Sequence, residues 1–520
     1  MDMFMSNLRS TALQNHNVAF SDNGAKMYGS TGKALLDLNF SVSNMRDMEP
    51  DLKVEKFMAA FNEDPITATK WLFFARDIRG GLGERDLFRH IFCWFATYQP
   101  NTFRHLVSYI PEYGRWDDLL ELCHTSLERE AFRVISKQFW NDLDSMKANR
   151  SVSLLAKWMP SINATSADQR RLALKLCKYL GINVASYRKL ISKLRKYIDI
   201  VEQKMSANQW DQIEYSKVPS RANMLYKDAF LRHDRERREE FLSAALKGEV
   251  KMNSGTLFPH EIIHQYAPGG GWDFRYNPVS FDPSMEVLWN NLPPLEMESK
   301  TIVVQDGSGS MLSPVSEKSE VRCMDVAMGL ALYFAQNLTG PYANRVITFS
   351  EHPQFVDLNG YNTLADKINH LKQYTEVANT NIEAVFDLIL ETAVNNHLSQ
   401  EDLPSNILII SDMEFDHCAQ DSSHHYYGQE MINPNLFEEI ARKYASYGYK
   451  IPRCCFWNTK GRSGAIPMIQ NDLGVALMSG FSVNNAKMIM SGKMDPYEAL
   501  LDVLNSERYA DIYPAIPDQC

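Results

Sequence analysis

The chain has 520 residues, 45% of them hydrophobic and 23% charged, with a formal net charge of −10. That length exceeds one hydrophobic core and implies two to four units at roughly 150 residues each, in a composition ordinary for a globular protein. No apolar run approaches the ~18 residues needed to cross a bilayer, no basic-then-apolar leader opens the chain, and the 8 cysteines form no Cys-x-x-Cys pair, which disfavours a membrane anchor, a disulfide framework and a cysteine metal site and fits a cytoplasmic protein with reduced thiols.

Residues 1–45 read as a polar, Gly/Ser-rich extension with one amphipathic stretch, Ala34–Phe40. Gly29-Ser30-Thr31-Gly32-Lys33-Ala34 lacks both the four-residue gap and the hydroxyl after Lys that a P-loop needs. Over 46–267 the apolar residues recur at three and four positions, as in Phe57, Met58, Phe61 and Thr69, Leu72, Phe73, which marks one-sided helices. Between two of them Gly80, Gly81 and Gly83 force a tight loop that keeps Arg76, Arg79 and Arg85 near a helix end. Many short amphipathic helices separated by Gly/Pro turns bury their faces best by stacking on neighbours, so an α-solenoid is expected.

Charge is uneven along this helical part. Residues 168–251 carry 19 Lys and Arg against 11 Asp and Glu, a net +8 that leaves −18 for the remainder. Arg188, Lys189, Lys193, Arg195 and Lys196 lie along one expected helix, and Arg232, Arg235, Arg237 and Arg238 cluster near another. Tyr187, Tyr197, Trp210, Tyr215 and Tyr226 are interleaved and suit base stacking. The competing reading is solvated helix faces with core aromatics.

His260-Glu261-x-x-His264 matches a zinc-peptidase signature, yet its helix opens at Pro259, stops at Pro268-Gly269-Gly270-Gly271 and has no third ligand nearby. A last solenoid helix with packed or surface histidines is the stronger reading. Residues 268–298 read as a Pro/Gly/Asn-rich linker, and strand and helix patterns alternate through 299–520, which calls for a doubly wound parallel sheet.

That second part is organised around 301–311. Thr301-Ile302-Val303-Val304 suits a strand buried on both faces, and the turn after it exposes Asp306, Ser308 and Ser310. A second buried run ends at Asp412, and Thr380 precedes another helix. In such a sheet ligands gather outside the carboxyl ends of the strands where the strand order reverses. Five oxygen-bearing side chains with no sulfur or imidazole favour one hard divalent cation, Mg²⁺ or Mn²⁺ with Ca²⁺ as the alternative. No base or nucleophile is placed beside them, so docking of an acidic group is expected rather than turnover. Glu414 is a candidate to supply such an acid in cis or to tune the site.

Asp-x-Ser-x-Ser followed by a distant Thr and a distant Asp resembles the metal-ion-dependent adhesion site of von Willebrand factor A domains. The resemblance implies that the hydroxyls of Ser308, Ser310 and Thr380 touch the cation directly, that Asp306 and Asp412 act mainly through water, and that one position stays open for a partner's carboxylate. Residues 76–85 are similar to the Arg-Gly-Gly-x-Gly-Glu-Arg segment of the TROVE module, the HEAT-like helical ring of Ro proteins, in which a von Willebrand A domain follows. A nearer resemblance, carried by Asn23-Gly24-Ala25, Ser30-Thr31-Gly32, 411–415, Phe456-Trp457-Asn458 and 479–482, is to a branch with this architecture in plants, large viruses, bacteria and phages. These resemblances imply a non-catalytic scaffold for small structured or misfolded RNA, with no DNA or membrane partner and with an acidic protein partner at the cation. The compartment implied is the cytoplasm, that of the host for a viral or phage chain. The alternatives are a protein-interaction or virion-associated module without RNA and, third, a zinc peptidase.

Overall fold

Apolar spacing of three and four produces helices through the first half of the chain, and uninterrupted β-branched runs produce strands in the second. The computed structural model describes residues 17–266, 277–295, 300–376, 378–416 and 435–515. Two units result: Pro50–Phe241 with the residues from Ser506 onward, and the residues up to Glu49 with Leu242–Asn505. Both partitions depart from the sequence boundaries. The expected N-terminal extension belongs to the α/β unit, and the last residues belong to the helical one.

In the helical unit Pro50–Glu63, Pro65–Arg76 and Arg85–Tyr98 pack on one another. Phe57, Trp71, Phe73, Phe88, Phe92 and Phe95 are all at most 1% exposed, and Phe95 stacks on Phe103 with ring centroids 4.1 Å apart. Each such side chain contributes roughly 1.5–3 kcal/mol by leaving water. Farther along, Glu128–Lys147 packs on Ala167–Leu180 and on Val184–Ile198. Asp77, fully buried, accepts from the Arg508 guanidinium, from the Tyr509 hydroxyl at 3.0 Å and from the Arg79 N–H at 2.9 Å, which fixes the segment after Ser506.

The α/β unit carries a short antiparallel pair, β1 (Ala19–Phe20) and β2 (Lys26–Met27), and a six-stranded sheet. Its strands in chain order are β3 (Thr301–Asp306), β4 (Arg345–Phe349), β5 (Gln354–Asp357), β6 (Asn406–Ser411), β7 (Arg453–Asn458) and β8 (Val475–Ser479). Their spatial order is β5-β4-β3-β6-β7-β8, parallel except for β5, which runs antiparallel to β4. The sheet is therefore mixed, not wholly parallel as expected. Only four residues, 350–353, join β4 to β5, too few for the crossover a parallel neighbour requires. From β3 the chain moves outward to β4 and β5, then returns to β6 on the other side of β3. The strand order reverses between β3 and β6, and in sheets of this kind ligands bind beyond the carboxyl ends of the strands at that point.

Residues 17–49 are built into this unit. Helix Ala34–Phe40 packs on β8, Asn458 Nδ2 donates to the Phe40 carbonyl at 3.0 Å, and the Ser43 N–H donates to Ser479 Oγ at 3.0 Å. The expected linker also holds a helix, Pro283–Asn290, with Met285, Val287, Leu288 and Trp289 buried. Its buried Glu286 accepts the N–H groups of Leu364 and Ala365 at 2.9 and 3.0 Å, which caps the start of helix Leu364–Leu371. Residues 268–276, Pro268–Gly271 among them, and 296–298 lie outside the described residues.

Main-chain packing is closest at Gly81. The Leu82 N–H donates to the Phe74 carbonyl at 3.0 Å, and a Cβ at Gly81 would sit 1.9 Å from that same oxygen. Gly81→Ala is expected to cost roughly 1–3 kcal/mol through forced backbone movement. The check is the thermal unfolding midpoint of the helical unit; an unchanged midpoint would contradict this packing.

Candidate functional site

Parallel pairing of β3 with β6, in the register Val304 to Ile409 and Gln305 to Ile410, brings the ends of both strands level. Asp306 closes β3 fully buried, and Asp412 follows β6 at 2% exposure. The Ser308 N–H donates to Asp306 Oδ1 at 2.8 Å and the Ser411 hydroxyl to Asp306 Oδ2 at 2.6 Å. Both oxygens are thereby oriented. The hydroxyls of Ser308 and Ser310 stand 3.1 Å apart, and Ser310 hydrogen-bonds the Asp412 carboxylate.

Thr380 arrives on a third loop, just ahead of helix Glu383–Asn395. The Gly309 N–H donates to the Ala378 carbonyl at 3.3 Å, which holds this loop against the serine turn. The Thr380 N–H donates to Asp416 Oδ2 at 2.9 Å, and the Asp416 N–H returns to the Thr380 carbonyl at 3.0 Å. Asp416 in turn acts electrostatically on Asp306. The five expected side chains are thus carried by three loops that are tied to one another.

Burial is the main cause holding both acids above the usual carboxylate range; Asp306 adds repulsion at Asp412, and Asp416 does so at Asp306. Among the described residues neither Asp306 nor Asp412 forms an ion pair. Among the described residues no three His, Cys, Asp or Glu side chains converge in a way that could hold a metal. Two carboxylates and three hydroxyls make a hard, oxygen-only donor set that fits Mg²⁺, Mn²⁺ or Ca²⁺.

Sequence reasoning gave Ser411, Asp416 and Asn23 no role at the site. Asn23 Nδ2 donates to Thr380 Oγ1 at 3.3 Å and to the Glu414 carbonyl at 2.6 Å. A lone Asn in a polar extension gives no signal of this. Glu414 does not point out as a docking acid. Its Oε2 accepts the Asp22 N–H at 2.6 Å and its Oε1 accepts the N–H groups of Arg462 and Ser463 at 2.5 and 2.9 Å, so it ties loops together. His417 lies outside the described residues. The start of helix Cys323–Asn337 carries a carboxylate of its own, Asp325, bonded by Arg322 Nη2 at 2.6 Å and by His264 at 3.0 Å.

His260-Glu261-x-x-His264 serves packing. His264 pairs with Asp325, the His260 ring lies 4.6 Å from that of Phe481, and Glu261 accepts the Phe258 N–H at 2.9 Å. A Cβ at Gly329 would lie 2.8 Å from the His260 nitrogen, so helix Pro259–Tyr266 sits directly on helix Cys323–Asn337.

Several of the basic residues grouped as RNA contacts turn inward. Arg76 is 3% exposed and its Nε donates to Asp118 at 2.8 Å. Arg195 donates to the Ala156 and Met159 carbonyls and to Ser161, at 2.7–2.9 Å. Arg238 is fully buried beside the Tyr215, Phe230 and Phe241 rings. Their polar ends bond protein groups because a buried guanidinium without acceptors is costly. Arg237 donates to the Ile213 carbonyl at 2.8 Å and to Asp234 at 2.8 Å, Arg235 to Glu239 at 3.4 Å, Arg85 to Asp86 at 3.2 Å and Arg79 to the Glu112 carbonyl at 3.4 Å. Arg188, Lys189, Lys193, Lys196 and Arg232 are exposed. Tyr187 and Tyr215 are core residues, at 1% and 4% exposure.

Fold and site define an α/β protein with an acidic, hydroxyl-lined crevice at the switch point of its sheet, joined in one chain to a helical unit. Among the described residues no helix is long and apolar enough to cross a membrane. Residues 300–511 match the model of a domain of unknown function, DUF7788, and residues 21–142 and 166–277 match that of another, DUF2828. An uncharacterised protein of Acanthamoeba polyphaga mimivirus is 30% identical over 529 residues, which span 94% of this chain and 87% of that protein. The chain belongs to the family of that viral protein.

A carboxyl whose native pKa stands above its unfolded value near 4 adds stability at acid pH, and that contribution is lost as pH rises through the native value. For Asp306 and Asp412 the loss falls between about pH 4 and pH 7. In chelator, Asp412→Asn should therefore gain stability relative to wild type between pH 5 and pH 8, by an amount on the order of a few kcal/mol. Paired thermal melts at the two pH values measure it, and a relative loss at pH 8 would contradict the assignment.

Proposed function

We propose that the α/β unit is a divalent-cation-dependent docking module of von Willebrand A type, carried by a TROVE-like helical unit that binds RNA. The observation behind the first half is the juxtaposition of buried Asp306 and Asp412 with the hydroxyls of Ser308 and Ser310, without an ion pair among the described residues. A hard cation would be held by those groups and Thr380 and would offer a partner's carboxylate a coordination position. The chain's own residues do the rest. Ser411 and the Ser308 N–H aim Asp306, and the Asp416 carboxylate fixes the Thr380 backbone. The side chains around the crevice are hydroxyls and carboxylates held by hydrogen bonds, a set suited to docking rather than to acid–base turnover.

Support for the second half comes from helix Val184–Ile198. Lys189, Lys193 and Lys196 lie one turn apart on its exposed side, with Arg188, also exposed, next to Lys189. Such a stripe matches a phosphate backbone. A protein-interaction or virion-associated role without RNA is the second reading, and the burial of Arg76 and Arg238 and the bonding of Arg195 to protein carbonyls favour it.

Asp306→Ala is expected to abolish Mn²⁺ binding, followed by the electron paramagnetic resonance of free Mn²⁺, with the melting of the helical unit unchanged. Retained binding at wild-type affinity would refute the cation site. Replacing Arg188, Lys189, Lys193 and Lys196 together with Ala should weaken capture of a structured RNA and flatten its salt dependence by up to about 0.9 log unit per lost contact. Filter binding at several salt concentrations decides this. RNA binding that ignores these four changes, or no RNA binding at any salt, would turn the case to the second reading.

A further inference from the structure

The chain's first described residues contact the Asp412 loop, the Thr380 loop and the segment that follows β7. The Ser21 hydroxyl donates to the Phe415 carbonyl at 2.5 Å and the Asp22 N–H to Glu414 Oε2 at 2.6 Å. Arg462 pairs with Asp22 at 3.0 Å, and the main chains of Tyr28 and Ile466 exchange hydrogen bonds of 2.9 and 2.8 Å. Asn23 reaches farthest in, where one amide nitrogen serves both the Glu414 carbonyl and Thr380 Oγ1. We propose that residues 17–28 are a working part of the cation site, with Asn23 as a positioning residue that orients the Thr380 hydroxyl, so that cation binding and seating of this segment are linked.

The chemistry follows from what a hydroxyl can do. It has two lone pairs and one hydrogen. With one lone pair engaged by Asn23, Thr380 Oγ1 keeps the other for a cation and its hydrogen for an acceptor such as a carboxylate. Glu414 couples the same segment to the Asp412 loop. It is fully buried, and one of the three N–H groups on its carboxylate belongs to Asp22. Lifting the segment away would strip a donor from a buried carboxylate two residues from Asp412 and release Thr380 as well. Linkage is reciprocal, so whatever the segment adds to cation affinity the cation adds to the seating of the segment.

This inference rests on the cation reading above, and the test separates the two. With the full chain and Mn²⁺ alone as probe, Asn23→Ala should bind about 10-fold or more weakly, as partners that orient metal ligands typically do. In wild type, Mn²⁺ should slow hydrogen exchange across residues 17–28, and Asp306→Ala should show no such slowing. A purely structural Asn23 would leave exchange in that segment indifferent to Mn²⁺. If wild type binds Mn²⁺ while Asn23→Ala binds it equally well, or exchange over 17–28 does not respond, the linkage is overturned and the cation site stands. If wild type binds no Mn²⁺, both fall. Should Asn23→Ala fail to fold, the exchange experiment on wild type decides alone.

Discussion

Two carboxylates out of reach of solvent, at the ends of neighbouring central strands, set the terms for the whole α/β unit. Like charges in a low-dielectric site repel strongly and are poorly solvated. The pair must keep a proton or take a counter-charge, and the surroundings supply hydroxyls and main-chain N–H groups instead of a basic side chain. The topology makes this unavoidable: β3 and β6 are adjacent, parallel and in a register that ends them together. Three loops are then fastened to one another, and the fastening includes a segment hundreds of residues away in sequence.

The helical unit applies the opposite solution to buried charge. Asp77 and Asp118 each receive more than one donor: Arg508, Tyr509 and the Arg79 N–H on the first, Arg76, Arg89 and the Arg115 N–H on the second. A polar knot of this kind holds only when every member is satisfied. The Arg-Gly-Gly-x-Gly-Glu-Arg segment is best understood through these knots. Its glycines let the chain turn back against Phe74, and a Cβ at Gly80 would meet the Arg508 side chain at 2.8 Å. On the outer side of helix Val184–Ile198 basic residues extend into solvent.

The sheet was legible wherever a strand is buried on both faces, because continuous runs such as Ile407-Leu408-Ile409-Ile410 have no other economical place. The placement of the acid at the end of each run, and of the hydroxyls at every second position after β3, was legible because these are local patterns. β5 was not, since four residues that are half exposed beside a proline carry little pattern. Asn23 and the anchoring role of Glu414 were invisible because their partners lie hundreds of residues away and are main-chain groups or single hydroxyls. Periodicity also misread the arginines whose guanidinium groups bond within the protein. Arg195 and Arg238 occupy helices where neighbouring basic residues are exposed, and only the fold shows which ones turn inward.

The central claim is that a hard cation belongs between the serine turn after β3 and the acid after β6. Anomalous diffraction from crystals of the full chain grown with Mn²⁺ tests it most directly. The account predicts a peak within bonding distance of the Ser308 and Ser310 hydroxyls, beside Asp306 and Asp412. A map with no peak there, or with Mn²⁺ bound only at another place, would contradict it.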